Sequence, residues 1–364
     1  MSKHLSPNHA GSSPRPESDG VQSSFGTGSR TLSEREAHPL SRRTFLLEAS
    51  ALSGSALLVG QAATCSAFEP TAQTALPRRT LGRTDVEVSV LALGTAPCGQ
   101  SRSVDTPTVT AIVREAMDAG INFVDTARIY GNAEEGIGKA LAGRRDEVFL
   151  TTKVWADDAA GARKSLEESL RAMQTDHVDL VYLHSMGNRD ASEASKADGA
   201  LTYLLKQKET GKTRFVGISG HSRAETFVPL LASGRIDVVM CAMNFVDRYT
   251  YRFEEKVLPV ARQQNVGIAC MKVFGGIRGG FAKYGGPNPG SQLNSRYLNQ
   301  AVRYALGLPG VATLVIGPHT VEQLRHNIRM VKDYRPLSSA ERAELDQLGR
   351  QLAAEWGPRF GPVA

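Results

Sequence analysis

From residue 90 onward, short runs of β-branched and aliphatic residues alternate with longer stretches of helical periodicity. The runs fall at 90–94, 122–126, 148–154, 178–184, 214–219, 238–244, 267–273 and 313–317. Between them, helical patterns occupy 106–119, 159–173, 200–210, 224–232, 254–264, 293–306 and 321–331. Such alternation is the mark of a parallel sheet with crossover helices. In 159–173, Leu166, Leu170 and Met173 make one apolar stripe, and Asp157 or Asp158 is placed to cap the helix start. Strand ends recur about every 30 residues, the length of one βα unit, and eight units predict an α/β fold of the closed (β/α)8 TIM barrel type. The alternative is a doubly wound open sheet. It normally carries GxGxxG after its first strand, where this chain reads Leu93-Gly94-Thr95-Ala96-Pro97. Ahead of the barrel, 79–81 and 86–88 flank Gly82-Arg83-Thr84-Asp85, which predicts a small β-hairpin plugging the barrel bottom. Behind it, 337–356 reads as a helix introduced by Ser338 or Ser339 with Glu341 soon after, packed across the barrel mouth or facing a partner.

The first 67 residues follow neither pattern. Residues 1–37 are rich in Ser, Pro and Gly, with too few large apolar side chains to offset their own ordering entropy, and are expected to be disordered. In 38–67, Ser41-Arg42-Arg43-Thr44-Phe45-Leu46-Leu47 leads into a mild apolar run at 49–63. Twin arginines ahead of such a stretch resemble a twin-arginine export signal, with cleavage after Ala67, and the run is too short and too Gly/Ser-rich to span a bilayer. The expected organisation is therefore a disordered extension at 1–37, a signal segment at 38–67, the barrel at 78–335, and a C-terminal helix and tail at 336–364.

Composition removes several function classes. The 364 residues are 41% hydrophobic and 22% charged, as in globular proteins that bury a sizeable core. The net charge of +6 is spread without basic blocks, which argues against nucleic acid as a partner. Neither the four cysteines nor the eight histidines fall at metal-ligand spacing, so no zinc or iron–sulfur site is expected.

In a barrel, chemistry sits at the C-terminal ends of the strands. Three consecutive predicted strands end on polar residues that an apolar strand does not explain: Asp125, Lys153 and His184, with Tyr130 in the loop after Asp125. A lysine and an aspartate drawn out of water on adjacent strand ends should pair. Their pairing puts an ammonium near the Tyr130 phenol, whose ordinary pKa of about 10 makes it a poor acid until a neighbouring cation stabilises the phenolate. His184 can hold a substrate oxygen beside that phenol. The set is suited to protonating a carbonyl oxygen that gains negative charge as hydride reaches carbon. Taken singly, each residue has a plain structural reading as helix cap, surface charge or satisfied polar group; taken together on adjacent units they point to a site.

The sequences Asp125-Thr126-Ala127-Arg128-Ile129-Tyr130-Gly131, Thr152-Lys153 and Tyr182-Leu183-His184 resemble the aldo/keto reductases. The resemblance runs from Leu81-Gly82-Arg83-Thr84 to Val315-Ile316-Gly317 and Glu322-Gln323-Leu324 with Asn327, nearly all of 78–335. It implies reduction of aldehydes or ketones, sugars possible among them, with a nicotinamide dinucleotide, usually NADPH and alternatively NADH. By the same resemblance Tyr130 is the general acid, Lys153 and Asp125 tune it, and His184 orients the carbonyl. Cofactor contacts are expected from Ser219, Asn244, Lys272, Gly275, Gly276, Gln323 and Asn327. Gly220-His221 stands where the family commonly has Asn after the serine, Met240 and Met243 replace a glutamine and a tyrosine, and His319 sits where an arginine often grips the 2′-phosphate.

Two further expectations concern loops. The stretch 275–291 holds seven glycines and two prolines in 17 residues and reads as a flap over the cofactor or a loose connection. Trp155 is placed either to wall the substrate pocket or to pack under a loop. The leading function is a carbonyl reductase exported folded, with its cofactor, by the twin-arginine machinery to an extracytoplasmic compartment. The competing functions are a dinucleotide-binding redox sensor with little turnover, suggested by the altered cofactor positions, and a barrel hydrolase or aldolase using Lys153 as a Schiff-base amine.

Overall fold

The computed structural model describes residues 75–276 and 291–364. The extension, the twin-arginine segment with its cleavage site, and all of the glycine-rich stretch except 275, 276 and 291 lie outside the described residues. Twelve strands are described: β1 (Arg78–Thr80), β2 (Glu87–Ser89), β3 (Leu91–Gly94), β4 (Phe123–Asp125), β5 (Phe149–Val154), β6 (Val178–Leu183), β7 (Thr213–Gly220), β8 (Val238–Ala242), β9 (Gly267–Met271), β10 (Gly275–Gly276), β11 (Ser291–Gln292) and β12 (Val311–Ile316). Eight of them close a barrel in the order β12-β3-β4-β5-β6-β7-β8-β9, each neighbouring pair parallel. Every one of the eight apolar runs supplies one barrel strand, so the doubly wound alternative is excluded.

Two clusters explain why those runs are apolar on both faces. Inside the barrel lie Phe123, Phe149, Leu180, Tyr182, Val238, Met240, Ala269 and Val315. Outside, a larger cluster packs Val124, Leu150, Val181 and Ile218 against the helix ring, including Leu166, Leu170 and Met173 of the Ala159–Met173 helix. The predicted stripe is thus the buried one, and Asp158 caps that helix by accepting from Gly161 N–H at 2.7 Å. The strands β1 and β2 form the expected antiparallel hairpin around a turn at Gly82–Thr84. Leu81 carries it into the inner cluster, and the Arg83 amide donates to Asn265 O just before β9, closing the barrel bottom.

Helices depart from the periodicity where proline intervenes. The expected helix at 224–232 is a 3-10 turn Ala224–Phe227 followed by an α-helix Val228–Ala232, and that at 254–264 divides into Phe253–Lys256 and Leu258–Gln263. Pro229 and Pro259 each lack an N–H and crowd the carbonyl four residues earlier, so one continuous helix cannot form. The C-terminal helix Ser339–Trp356 starts on a capping box between Ser338 and Glu341.

Candidate active site

Strand alternation carries the inner apolar residues directly to the polar ones. Phe123 leads to Asp125, Phe149 and Thr151 lead to Lys153, and Leu180 and Tyr182 lead to His184, all in steps of two on the inner face. The result is a buried layer in which Asp125, Lys153 and His184 are 3%, 2% and 1% exposed. Lys153 Nζ donates to Asp125 Oδ2 at 2.6 Å and to Thr126 O at 2.8 Å, and Thr151 Oγ1 donates to Asp125 Oδ1 at 2.9 Å. Burial pushes the Lys153 pKa below the ordinary lysine value and that of Asp125 above the usual carboxylate range, each opposed by attraction to the other.

Tyr130 joins this layer from a loop held by close backbone packing. Gly131 has φ +56°, and a Cβ there would meet Gly99 O at 2.2 Å; at Gly99 a Cβ would meet Tyr130 O at 2.3 Å. Only residues without side chains allow the two backbones to approach so closely. The loop is pinned further by Asn132 N–H donating to Gly99 O at 3.2 Å. The Lys153 ammonium then lies 4.7 Å from the centre of the Tyr130 ring. The Tyr130 and His184 rings meet edge to face with centres 6.0 Å apart.

His184 is kept neutral. Burial, reinforced by the nearby Lys153, His221, Arg189 and Lys272, holds its pKa well below the usual histidine range, and its Nδ1 is buried without a hydrogen-bond partner. Trp155 stands edge-on to the His184 ring at 5.2 Å between centres and is 43% exposed, outside the lining of the cleft beside this layer. Arg189 stacks its guanidinium 5.3 Å over the Trp155 ring and donates through Nε to His184 O at 2.7 Å.

A cleft of about 590 Å³ opens beside this layer along the C-terminal ends of β3, β4, β8, β9 and β12. Its lining brings together Asp125, Tyr130, Lys272, Gly275, Gly276, Gln323 and Asn327 of the expected residues. Lys153 and His184 are not on that lining and stand next to Tyr130. Ser219 is fully buried at the end of β7 and off the lining, its Oγ without a hydrogen-bond partner. Asn244 is spent on its own loop. Its Oδ1 accepts from the amides of Val246 and Asp247 at 2.9 and 2.8 Å, and its Nδ2 donates to Asp247 Oδ2 at 2.6 Å and Lys272 O at 2.9 Å. With both polar atoms satisfied, its part in the site is to shape the backbone.

Glu134, Arg359 and Phe360 are not found from the sequence, and His221, Met240 and Met243 enter there only as altered positions. Glu134, 1% exposed, accepts from Thr152 Oγ1 at 2.8 Å and pairs with Arg128, bracing the Tyr130 loop against β5. Its position four after Tyr130, in the first turn of the helix Ala133–Ala140, is the only hint. His221 and Met240 line the cleft, whereas Met243 lies in the outer core. The tail residues Arg359 and Phe360 reach this end of the barrel from 112 residues beyond Asp247 and 139 beyond His221, a distance no motif spans.

Polar atoms without partners suit a dinucleotide. The Asn327 side chain, 6% exposed, lines the cleft, and behind that lining Ser219 Oγ and His184 Nδ1 are buried without hydrogen-bond partners. Lys272, Gly275 and Gly276 line the cleft together, and a cation at that position suits phosphate.

Comparison with known proteins agrees with this geometry. Residues 90–300 match the model of the Aldo/keto reductase family. An uncharacterized oxidoreductase of Bacillus subtilis, YrpG, is 32% identical over 314 residues, covering 69% of this chain and 90% of that protein. The holo form of the aldo-keto reductase AKR11C1 from Bacillus halodurans superposes with a TM-score of 0.61 at 25% identity, over 75% of this chain and 96% of the other. An aldo-keto reductase from Klebsiella pneumoniae, solved in complex with NADPH, has the same fold with a TM-score of 0.59 at 23% identity, over 75% and 95% of the two chains. Eight βα units ending in a buried Asp–Lys pair beside a tyrosine and a histidine, together with these matches, show that the chain belongs to the aldo/keto reductase family and is an oxidoreductase of the nicotinamide-dependent kind.

Proposed function

We propose that the protein reduces the carbonyl group of small aldehydes or ketones, sugars among them, using NADPH ahead of NADH, with Tyr130 as the general acid. The observation that carries this reading is the Lys153 ammonium held 4.7 Å from the Tyr130 ring while anchored to Asp125. A bound nicotinamide dinucleotide supplies the hydride that reaches the carbonyl carbon. Tyr130 Oη gives its proton to the carbonyl oxygen, and the fixed ammonium offsets the negative charge that the phenol oxygen then carries. Asp125 and Thr151 keep the ammonium in place, so no reorganisation accompanies the transfer. His184, neutral through burial, orients the carbonyl oxygen toward the phenol as a hydrogen-bond donor. Lys153 makes a poor Schiff-base amine here because it is engaged by a carboxylate and a carbonyl in a buried pair. Trp155 forms one exposed wall of the substrate pocket.

Replacement of Tyr130 by Phe tests the assignment. Turnover on an aldehyde and sugar panel should fall about 100- to 10,000-fold, the span of general acid catalysis, with dinucleotide affinity retained. Unchanged turnover would remove the assignment and favour a binding role. We further propose that Arg42 and Arg43 direct the folded chain to the twin-arginine export machinery, supported by the apolar stretch behind them. Lysine in place of both should leave the protein in the cytoplasmic fraction of expressing cells; continued export would end that proposal.

A further inference from the structure

Near the chain's end, residues 359–361 lie at the mouth of the barrel and touch one strand-end loop after another. Arg359 makes two parallel bonds to Asp247 in the loop after β8, at 2.7 and 2.8 Å, with the two side chains 1% and 0% exposed. The guanidinium is enclosed between the rings of Trp356 and Phe360, each centre 4.4 Å away. The amide of Phe360 donates to Tyr251 Oη at 2.6 Å, and that hydroxyl donates to Gly361 O at 3.3 Å. Gly361 itself lies beside Ser222, after β7, and Asn188, after β6.

Two of these contacts reach the walls of the cleft. The Phe360 ring packs on His221, a lining residue, with centres 5.3 Å apart. It also covers Gly276, where a Cβ would come within 2.6 Å of the ring. Meanwhile Asp247, held by Arg359, accepts from Asn244 Nδ2, which in turn donates to Lys272 O. The tail therefore meets the cleft wall at both ends of one short loop, directly at Gly276 and through Asp247 and Asn244 at Lys272.

We propose that Arg359 and Phe360 are positioning residues that latch His221 and the backbone of 272–276 into the shape that retains the dinucleotide, so that detaching the tail speeds cofactor release. This rests on the dinucleotide reading of the cleft. A buried two-point ion pair is geometrically selective, and it joins segments 112 residues apart in sequence. A wall fixed before binding needs no ordering when the ligand arrives, and slow release is the expected consequence.

The test is the dissociation rate of NADPH from the whole protein, read by nicotinamide fluorescence after mixing with excess NADP, alongside equilibrium titrations and thermal melts. Phe360→Ala, which leaves the ion pair intact, and a chain ending at Gly357 should each release NADPH at least about tenfold faster. Phe360→Tyr should restore slow release, and Arg350→Ala, on the exposed face of the same C-terminal helix, should leave it unchanged. Folded Phe360→Ala protein with the parental release rate would overturn the latch. If the shortened chain fails to fold, the Phe360→Ala and Phe360→Tyr pair decides alone. Absence of NADPH and NADH binding by the parental protein would instead remove the dinucleotide reading and the latch with it.

Discussion

Two buried ion pairs stand at the mouth of this barrel, and they are built in opposite ways. Lys153–Asp125 joins adjacent strands β4 and β5, 28 residues apart, so sheet register alone sets it within reach. Arg359–Asp247 joins the chain terminus to the loop after β8, where no regular element imposes a distance. In both, burial works against the charges: it pushes the Asp247 carboxyl up as it does that of Asp125, and the partner cation pulls each back. The first pair leaves its ammonium facing Tyr130 and can serve chemistry. The second is walled by aromatic rings and can only hold segments together.

Breaking each pair in turn separates the two roles. The largest effect is expected for Lys153→Met: kcat should fall about 100-fold or more, and urea denaturation should show a loss of about 3–5 kcal/mol because Asp125 is left buried and unpaired. Adding Asp125→Asn should return much of the stability and none of the activity. Arg359→Gln comes next. A comparable loss of stability should accompany a rise in the KM for NADPH with kcat close to parental, and a kcat loss as large as that of Lys153→Met would erase the distinction between the pairs.

A smaller effect comes from pH. His184 and His221 are both held well below the ordinary histidine value of 6.5 by burial. The folded state therefore binds fewer protons than the unfolded one below pH 6.5. The stability these neutral rings allow is complete above pH 6.5 and is lost as pH falls toward their depressed values. Melting temperatures should drop as pH is lowered from 7 to 5, less steeply in a His221→Gln variant; equal slopes would place the acid sensitivity elsewhere.

The smallest effect comes from a carboxyl that belongs to neither pair. Glu254, which accepts from Tyr304 Oη at 2.6 Å, is pushed up to about 7 by burial. A raised carboxyl stabilises the fold fully below its ordinary range and loses that contribution as pH rises through 7. Glu254→Gln should therefore melt about 2–4 °C higher than the parent at pH 8, with the gap closing by pH 5. No difference at pH 8 would mean the carboxylate is better compensated by Arg248 than its burial implies.

Much of this was legible in residue order because of how a barrel is made. A strand buried on both faces must be apolar throughout, so Asp125, Lys153 and His184 stand out at strand ends, and alternation puts them on one face. The capping of the helices read at 159–173 and 337–356 was narrowed to two adjacent residues each, of which Asp158 and Ser338 are the caps, because an N-cap bonds only two or three residues ahead. Asn244 shows the limit. It ends an apolar run just as Asp125, Lys153 and His184 do, yet the chain turns there and the amide is consumed by the turn it makes.

What the sequence by itself determined is the eight strand and helix units, the leading hairpin, and the four residues of the polar layer, since periodicity, turn residues and the ends of neighbouring strands are read locally. Tertiary structure alone decided which polar groups face the cleft, that Glu134 braces the Tyr130 loop, and that Arg359 and Phe360 close over the mouth from the far end of the chain. Periodicity and capping are local interactions with a fixed spacing. A pairing across more than a hundred residues has no spacing to read, and exists only once the barrel has brought its two ends together.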